Sequence, residues 1–245
     1  MATDTQSTPG GISRTNGRSL TTELGPPPDT LNNGDRLTQP EFHALYEKMP
    51  ENVHAELIGG IVYMASPLRA RHGSNHSWLT TPFVHYEWAT PGTQVCDNST
   101  IILGKASEPQ PDLLLRVLPS HGGRTETDAD GYVVGPPELV VEVSDSSRSL
   151  DLGMKRREYA GAGVLEYLVL NLRDQRLHWF DLAADREFVP DADGVYRVRV
   201  FPGLWIDAAA LFARDLRRLL TTLDAGLATP EHAAFAAALA AAKTA

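Results

Sequence analysis

The chain has 245 residues, 42% of them apolar, with 22 lysines and arginines against 31 acidic residues and a net charge of −9. That apolar share suits a packed globular fold, and no run approaches the roughly 20 apolar residues of a membrane span. The acidic balance excludes a uniformly basic nucleic-acid coat but leaves room for a local basic groove around an acidic metal site.

Residues 1–35 are rich in Thr, Gly, Pro, Ser and Asn and hold no apolar signal segment, so a mobile N-terminal tail is expected. Thr38 with Glu41 reads as a capping box, and Phe42, Leu45, Tyr46 and Met49 form one helical apolar face that ends at Pro50. Ala55–Ile58 and Ile61–Met64 around Gly59-Gly60 read as a β-hairpin. A helix is expected from about Ser74 to Trp88, with a kink or early stop at Pro82. Strands follow over Gln94–Leu103, Pro111–Val117 and Glu138–Val143. The last two carry the continuous apolar runs of strands buried on both faces. His121–Gly135 is a polar, Gly-rich connection.

Ser149–Ala160 reads as a helix closed by Gly161 and Gly163. Val164–Leu170, Arg176–Leu182 and Val195–Phe201 then read as an antiparallel meander, before a helical C-terminal region from Asp207. The order implies a mixed sheet flanked by helices, α/β to α+β, over residues 36–212, with an Ala- and Leu-rich helical tail over 213–245. That tail either packs on the core or mediates a homodimer. The lone Cys96 can form neither an intrachain disulfide nor a cysteine-based zinc site, and a reducing, cytoplasmic setting is the expectation.

Two acids stand out. Asp112 opens one apolar strand and Glu142 sits inside Leu139-Val140-Val141-Glu142-Val143. An ionised carboxylate in so apolar a run costs several kcal/mol unless it is paired or metal-bound. If the two strands are neighbours, the acids converge, and a hard divalent cation with oxygen ligands relieves their repulsion. The alternative is a Glu142 at a sheet edge, bridged to an arginine. Lys155 is one of four lysines and shares a helix face with Asp151 and Tyr159. It is either a site cation or half of a surface Asp151–Lys155 pair.

From about Thr38 to Phe212 the chain resembles the Uma2 family of predicted endonucleases, a branch of the PD-(D/E)xK superfamily. The resemblance lies in Ala55 through Met64, Arg71-His72, Pro111-Asp112, Pro137 through Ser144, and Asp151 through Lys155 to Tyr159. Gly163 through Tyr167 and Phe201 through Leu204 complete the order. It implies a restriction-endonuclease-like core, with Asp112 and Glu142 as the motif acids around Mg²⁺ or Mn²⁺. Val143 stands where the motif lysine is expected, so the resemblance moves the catalytic cation to Lys155 on the following helix. It also assigns the Val143 carbonyl to the metal and Glu56 to a second ion or the metal's hydration shell. Glu56 has the alternative of a hairpin carboxylate facing solvent.

The activity implied is hydrolysis of nucleic-acid phosphodiesters, with DNA the expected substrate, by a Mg²⁺-activated water with lysine assistance. The alternatives are an inactive nuclease-fold protein that binds nucleic acid or a protein partner, and a hydrolase of another phosphoester. His72 and His76 have the i, i+4 spacing of a zinc pair, but Gly73 follows His72 where an HExxH motif has Glu. His72 is therefore read as site-proximal and not as a ligand. Arg69, Arg71, Arg148, Arg156 and Arg157 are either phosphate contacts or solvated surface residues. The four tryptophans are read as core.

Overall fold

A computed structural model of the chain describes Met1, residues 30–67 and residues 69–243. Most of the expected N-terminal tail, residues 2–29, lies outside the described residues. Residues 30–37 pack: Leu31 and Leu37 are buried, and the 34–35 backbone pairs with Val62. The capping box forms, with Thr38 N–H donating to Glu41 Oε2 at 2.8 Å, and opens α1 (Gln39–Tyr46). The hairpin β1 (Ala55–Ile58) and β2 (Ile61–Met64) follows in the expected register, Ile58 facing Ile61.

Helix α2 (Ala70–Ala89) starts earlier than the periodicity suggests and runs straight through Pro82. Leu79, Phe83 and Tyr86 on its inner face are fully buried. Burial of each such side chain is worth about 1.5–3 kcal/mol, which together offsets the backbone bond that proline removes.

The remaining strands are β3 (Thr93–Asp97), β4 (Ile101–Ile102), β5 (Leu113–Val117), β6 (Glu126–Thr127), β7 (Val133–Val134) and β8 (Leu139–Ser144). A six-residue π-helical stretch, Leu150–Lys155, then leads into α3 (Arg156–Ala162), which ends at Gly163 with φ 92°. After it come β9 (Glu166–Asn171), β10 (Arg176–Asp181), β11 (Arg186–Glu187), β12 (Val195–Arg197) and β13 (Trp205–Asp207). The chain closes with α4 (Ala208–Ala213), α5 (Leu216–Leu227) and α6 (Pro230–Ala242).

Among the described residues the largest sheet has six strands in the order β11-β10-β9-β8-β5-β3. Only the central β8–β9 pair is parallel, as a strand–helix–strand crossover requires; the others are antiparallel. Both faces are covered. Leu113, Leu115, Val141, Val143 and Trp179 pack with α2 and the C-terminal helices, while Leu114, Val140 and Val169 pack with Tyr159 and Val164. That double coverage is why the β5 and β8 sequences are apolar without alternation. The fold is the mixed α/β arrangement that the element order implies.

Several expectations change. The single strand expected over Gln94–Leu103 divides at residues 98–100 into β3, in the main sheet, and β4, in a smaller one. The polar 121–135 connection contains β6 and β7, which join β4 in a separate small sheet around the Asp128 turn. The third strand of the expected meander, β12, leaves the main sheet and pairs with β13, because β11 already occupies the edge beside β10. The turn between them needs glycine: Gly203 has φ 88°, and a Cβ there would meet Gly226 O at 2.9 Å. Tryptophan burial is uneven, with Trp179 buried but Trp88 89% exposed. The C-terminal helices pack on the core through Leu211, Leu219, Leu223 and Leu239.

The β12–β13 arm is tied to the sheet by a buried acid. Glu166 accepts from the backbone N–H groups of Arg199 and Val200 and from Trp179 Nε1. Burial pushes its carboxyl up to about 7, against those three donors. A raised folded-state pKa makes this group's contribution largest below the unfolded carboxylate range, and the contribution is lost as pH rises through about 7. Glu166→Gln should therefore flatten the fall in thermal stability between about pH 4.5 and pH 7, a term of roughly 3 kcal/mol. Unfolding midpoints of the variant that decline with pH as steeply as the wild type's would contradict this.

Candidate functional site

Antiparallel pairing of β5 with β8 sets Leu113 opposite Val141. One step further out, Asp112 lies opposite Glu142, so the two acids are brought together from neighbouring strands. Glu142 is buried in the middle of the sheet and not at its edge, with β5 on one side and β9 on the other. Its partner is not an arginine: Oε1 accepts from Lys155 Nζ at 2.9 Å and from the Tyr159 hydroxyl at 3.0 Å.

Lys155 reaches Glu142 because the π-helical turn carries it inward, where it is 5% exposed. Local widening of this kind recurs at functional sites. The same ammonium meets Glu56 at 2.9 Å. Glu56 thus turns into the protein from β1, and its Oε1 also accepts from Gln110 N–H at 2.8 Å. The hairpin is pinned in this pose by reciprocal backbone bonds between Leu57 and Glu108.

Asp151, one turn before Lys155, is buried too and accepts from the Ser147 hydroxyl at 2.5 Å. The surface-pair alternative for Asp151 and Lys155 therefore falls. Asp151 and Tyr159 thus belong to the site, on the helix face that their spacing about Lys155 predicts.

Asp112 is gripped from two sides. Its Oδ2 accepts from Val143 N–H at 2.6 Å, and its Oδ1 lies 2.9 Å from His72 Nε2. His76 Nε2 lies 2.9 Å from the Asp112 carbonyl and 2.8 Å from Asp97 Oδ1. Neither His76 nor Asp97 was singled out from sequence as part of the site, because α2 and β3 meet only in the folded protein.

The electrostatics follow from burial. Three carboxylates, Glu142, Glu56 and Asp151, act on the Lys155 ammonium, and Asp112 acts on Glu142. Burial pushes Glu142 well above the usual carboxylate range; Lys155 opposes this, while Asp151, Asp112 and Glu56 add to it. Asp151 is raised by burial as well. Burial alone would lower the Lys155 amine, but Glu142, Glu56 and Asp151 together outweigh it and hold the lysine above its ordinary value. The His72 imidazole is raised by its bond to Asp112, which outweighs desolvation. More carboxylates than cations in a dry site, all offering oxygen, is a donor set that fits a hard divalent ion. Both contacts to Glu142 fall on Oε1, which leaves Oε2 out of them.

The arginines divide. Arg71 donates to the Leu172 carbonyl and, with Arg173, approaches Asp145, while Arg148 pairs with Asp174. These three lie just past the C-terminal ends of β8 and β9. Arg156 instead stacks over Phe180 at 4.1 Å and pairs with Asp185. Arg69 and Arg157 are exposed.

The chain folds as a mixed α/β sheet in which the strands carrying Asp112 and Glu142 are neighbours. The chain belongs to the Uma2 family, described as “Putative restriction endonuclease”, whose profile matches residues 39–209. Its fold is similar to the crystal structure of a “putative nuclease belonging to DUF820” from Anabaena variabilis. The TM-score is 0.53 at 14% identity, over 75% of this chain and 97% of that one. No curated protein matches the chain. No helix among the described residues is long and apolar enough to cross a membrane.

Removing Lys155 should leave Glu142 and Glu56 uncompensated, a loss of about 3–5 kcal/mol for a buried pair. Protonation of Glu142 relieves that loss, so Lys155→Met should destabilise more at pH 8 than at pH 5. Adding Glu142→Gln should restore much of the stability. Equal destabilisation at both pH values in denaturant titrations would show that the pair is not buried as described.

Proposed function

We propose that the protein is a metal-dependent endonuclease that hydrolyses phosphodiester bonds, with DNA as the substrate to test first. The observation that carries this reading is the meeting of Asp112 and Glu142 across β5 and β8, with Lys155 held against Glu142. Family membership supports it. The residues that would hold Mg²⁺ or Mn²⁺ are Asp112, Glu142 and Glu56, with the Val143 carbonyl. When bound, the ion would supply an activated water and neutralise charge at the phosphate.

The chain's own residues do the rest. Lys155 keeps its proton at neutral pH, since the surrounding carboxylates hold it above the ordinary lysine value. It therefore serves as a fixed positive charge for the phosphate or the leaving oxygen and not as a base. Glu142 and Glu56 both accept from that ammonium and orient it. Val143 N–H and His72 fix the rotamer of Asp112, so the carboxylate is set before substrate arrives. Arg71, Arg148 and Arg173, beyond the strand ends, provide a basic margin where a phosphate backbone can lie despite the acidic net charge.

In a supercoiled-plasmid assay with Mg²⁺ or Mn²⁺, Asp112→Ala and Glu142→Ala should fall to background nicking. Lys155→Met should lose about 10²–10³-fold. Wild-type-like nicking by both acid variants would overturn the assignment. Nicking absent from the wild type, with nucleic-acid binding kept, would instead favour a nuclease fold used for binding.

A further inference from the structure

The nitrogen side of Asp112 forms a second constellation that the oxygen site does not use. His72 and His76 lie one turn apart at the start of α2, both 9% exposed, with ring centroids 6.1 Å from each other. Each imidazole aims Nε2 at Asp112, His72 at its Oδ1 and His76 at its carbonyl. The ligand-type atoms of His72, His76 and Asp112 all fall within 4.8 Å of one another. Asp97 completes the ring from the end of β3, its Oδ1 2.8 Å from His76 Nε2.

One imidazole N–H here is shared between two acceptors. His76 Nε2 faces two acceptors, the Asp112 carbonyl at 2.9 Å and Asp97 Oδ1 at 2.8 Å, with at most one proton to give. The Asp112 carbonyl already accepts from Asn98 N–H at 3.0 Å. A cation between the side chains would use both imidazole lone pairs and both carboxylate oxygens at once. Two nitrogens at i, i+4 on one helix, plus carboxylates from adjacent strands, is the donor chemistry of a borderline transition ion. Mg²⁺ favours oxygen. Tetrahedral ligands at about 2.0–2.1 Å from an ion stand roughly 3.3 Å apart. His72, His76 and Asp112, whose ligand atoms lie within 4.8 Å of one another, would close around the ion, while Asp97 would draw back slightly from His76.

We propose that His72, His76, Asp112 and Asp97 form a binding site for one divalent transition ion of the Zn²⁺ class, distinct from the oxygen-lined position at Glu142. The site shares Asp112 with that position but does not require phosphodiester hydrolysis. Asp112 would present Oδ1 to this ion while its Oδ2 stays on Val143 N–H. The two positions differ in what they select: nitrogen and carboxylate here, carboxylate and carbonyl there.

Cobalt makes the test visible. The full chain carrying Cys96→Ser, so that no thiol contributes, is stripped with chelator and titrated with Co²⁺. A saturable d–d absorption at one equivalent is expected, abolished by Zn²⁺ and unaffected by excess Mg²⁺. His72→Ala and His76→Ala should each weaken Co²⁺ binding by about 10–100-fold. Asp97→Asn, at a side chain 59% exposed and so tolerant of change, should weaken it while leaving the far-ultraviolet dichroism intact. Glu142→Gln should leave the spectrum unchanged, which separates this site from the nuclease reading whether or not the wild type nicks DNA. Failure of the Cys96→Ser chain to develop the absorption overturns the proposal. So does full-strength binding in a folded Asp97→Asn or His76→Ala protein.

Discussion

The interaction on which the rest of the structure depends is the buried contact between Glu142 and Lys155. Two charges removed from water lose several kcal/mol of hydration each, and their attraction compensates only when geometry and further hydrogen bonds are good. Here the geometry comes from three separate pieces of chain. A central strand covered on both faces supplies Glu142, a π-helical turn turns Lys155 inward, and the hairpin delivers Glu56 as a second acceptor. The Tyr159 hydroxyl completes the Glu142 oxygen. Each piece has its own apolar reason to be where it is, and the hydrophobic clusters on both faces of the sheet hold the pair dry.

That dryness also explains the excess of acid. In water, three carboxylates around one ammonium would simply be solvated. In this site burial raises Glu142 and Asp151, and the like charges add to the shift at both. A fold that gathers acids it cannot neutralise from within is unfavourable for stability alone, and it is the arrangement that a bound cation relieves. Stability and the proposed cation binding therefore oppose each other at one point, β8.

Much of this was legible in the sequence where a local rule and a tertiary demand coincide. The capping box at Thr38, the Gly59-Gly60 hairpin and the uninterrupted apolar runs of β5 and β8 each carry their own signal, and Asp112 and Glu142 stand out against those runs. The direction of Glu56 was not legible, because alternation along a short strand does not say which face the rest of the fold will cover. The role of Lys155 depended on a resemblance, since its spacing with Asp151 fits a solvent-facing pair equally well. The departure of β12 from the sheet was hidden for a similar reason. Its alternating pattern fits any antiparallel partner, and the choice of β13 is made by the turn at Gly203 against Gly226 and by the prior claim of β11.

Asp112 shows why the two sides of the site cannot be considered separately. One of its oxygens is held by a backbone N–H of β8 and the other lies against an imidazole of α2. Its rotamer is thus set jointly by strand register and by helix position, two features fixed by different hydrophobic contacts. A shift of α2 along the sheet would change what His72 presents to Oδ1 and what His76 presents to the Asp112 carbonyl, without disturbing Glu142. A one-residue slip of β8 would remove Val143 N–H and turn Glu142 away together. The sheet therefore governs the oxygen side of the site and the helix governs its nitrogen side, and Asp112 is the residue through which a change in one is felt by the other.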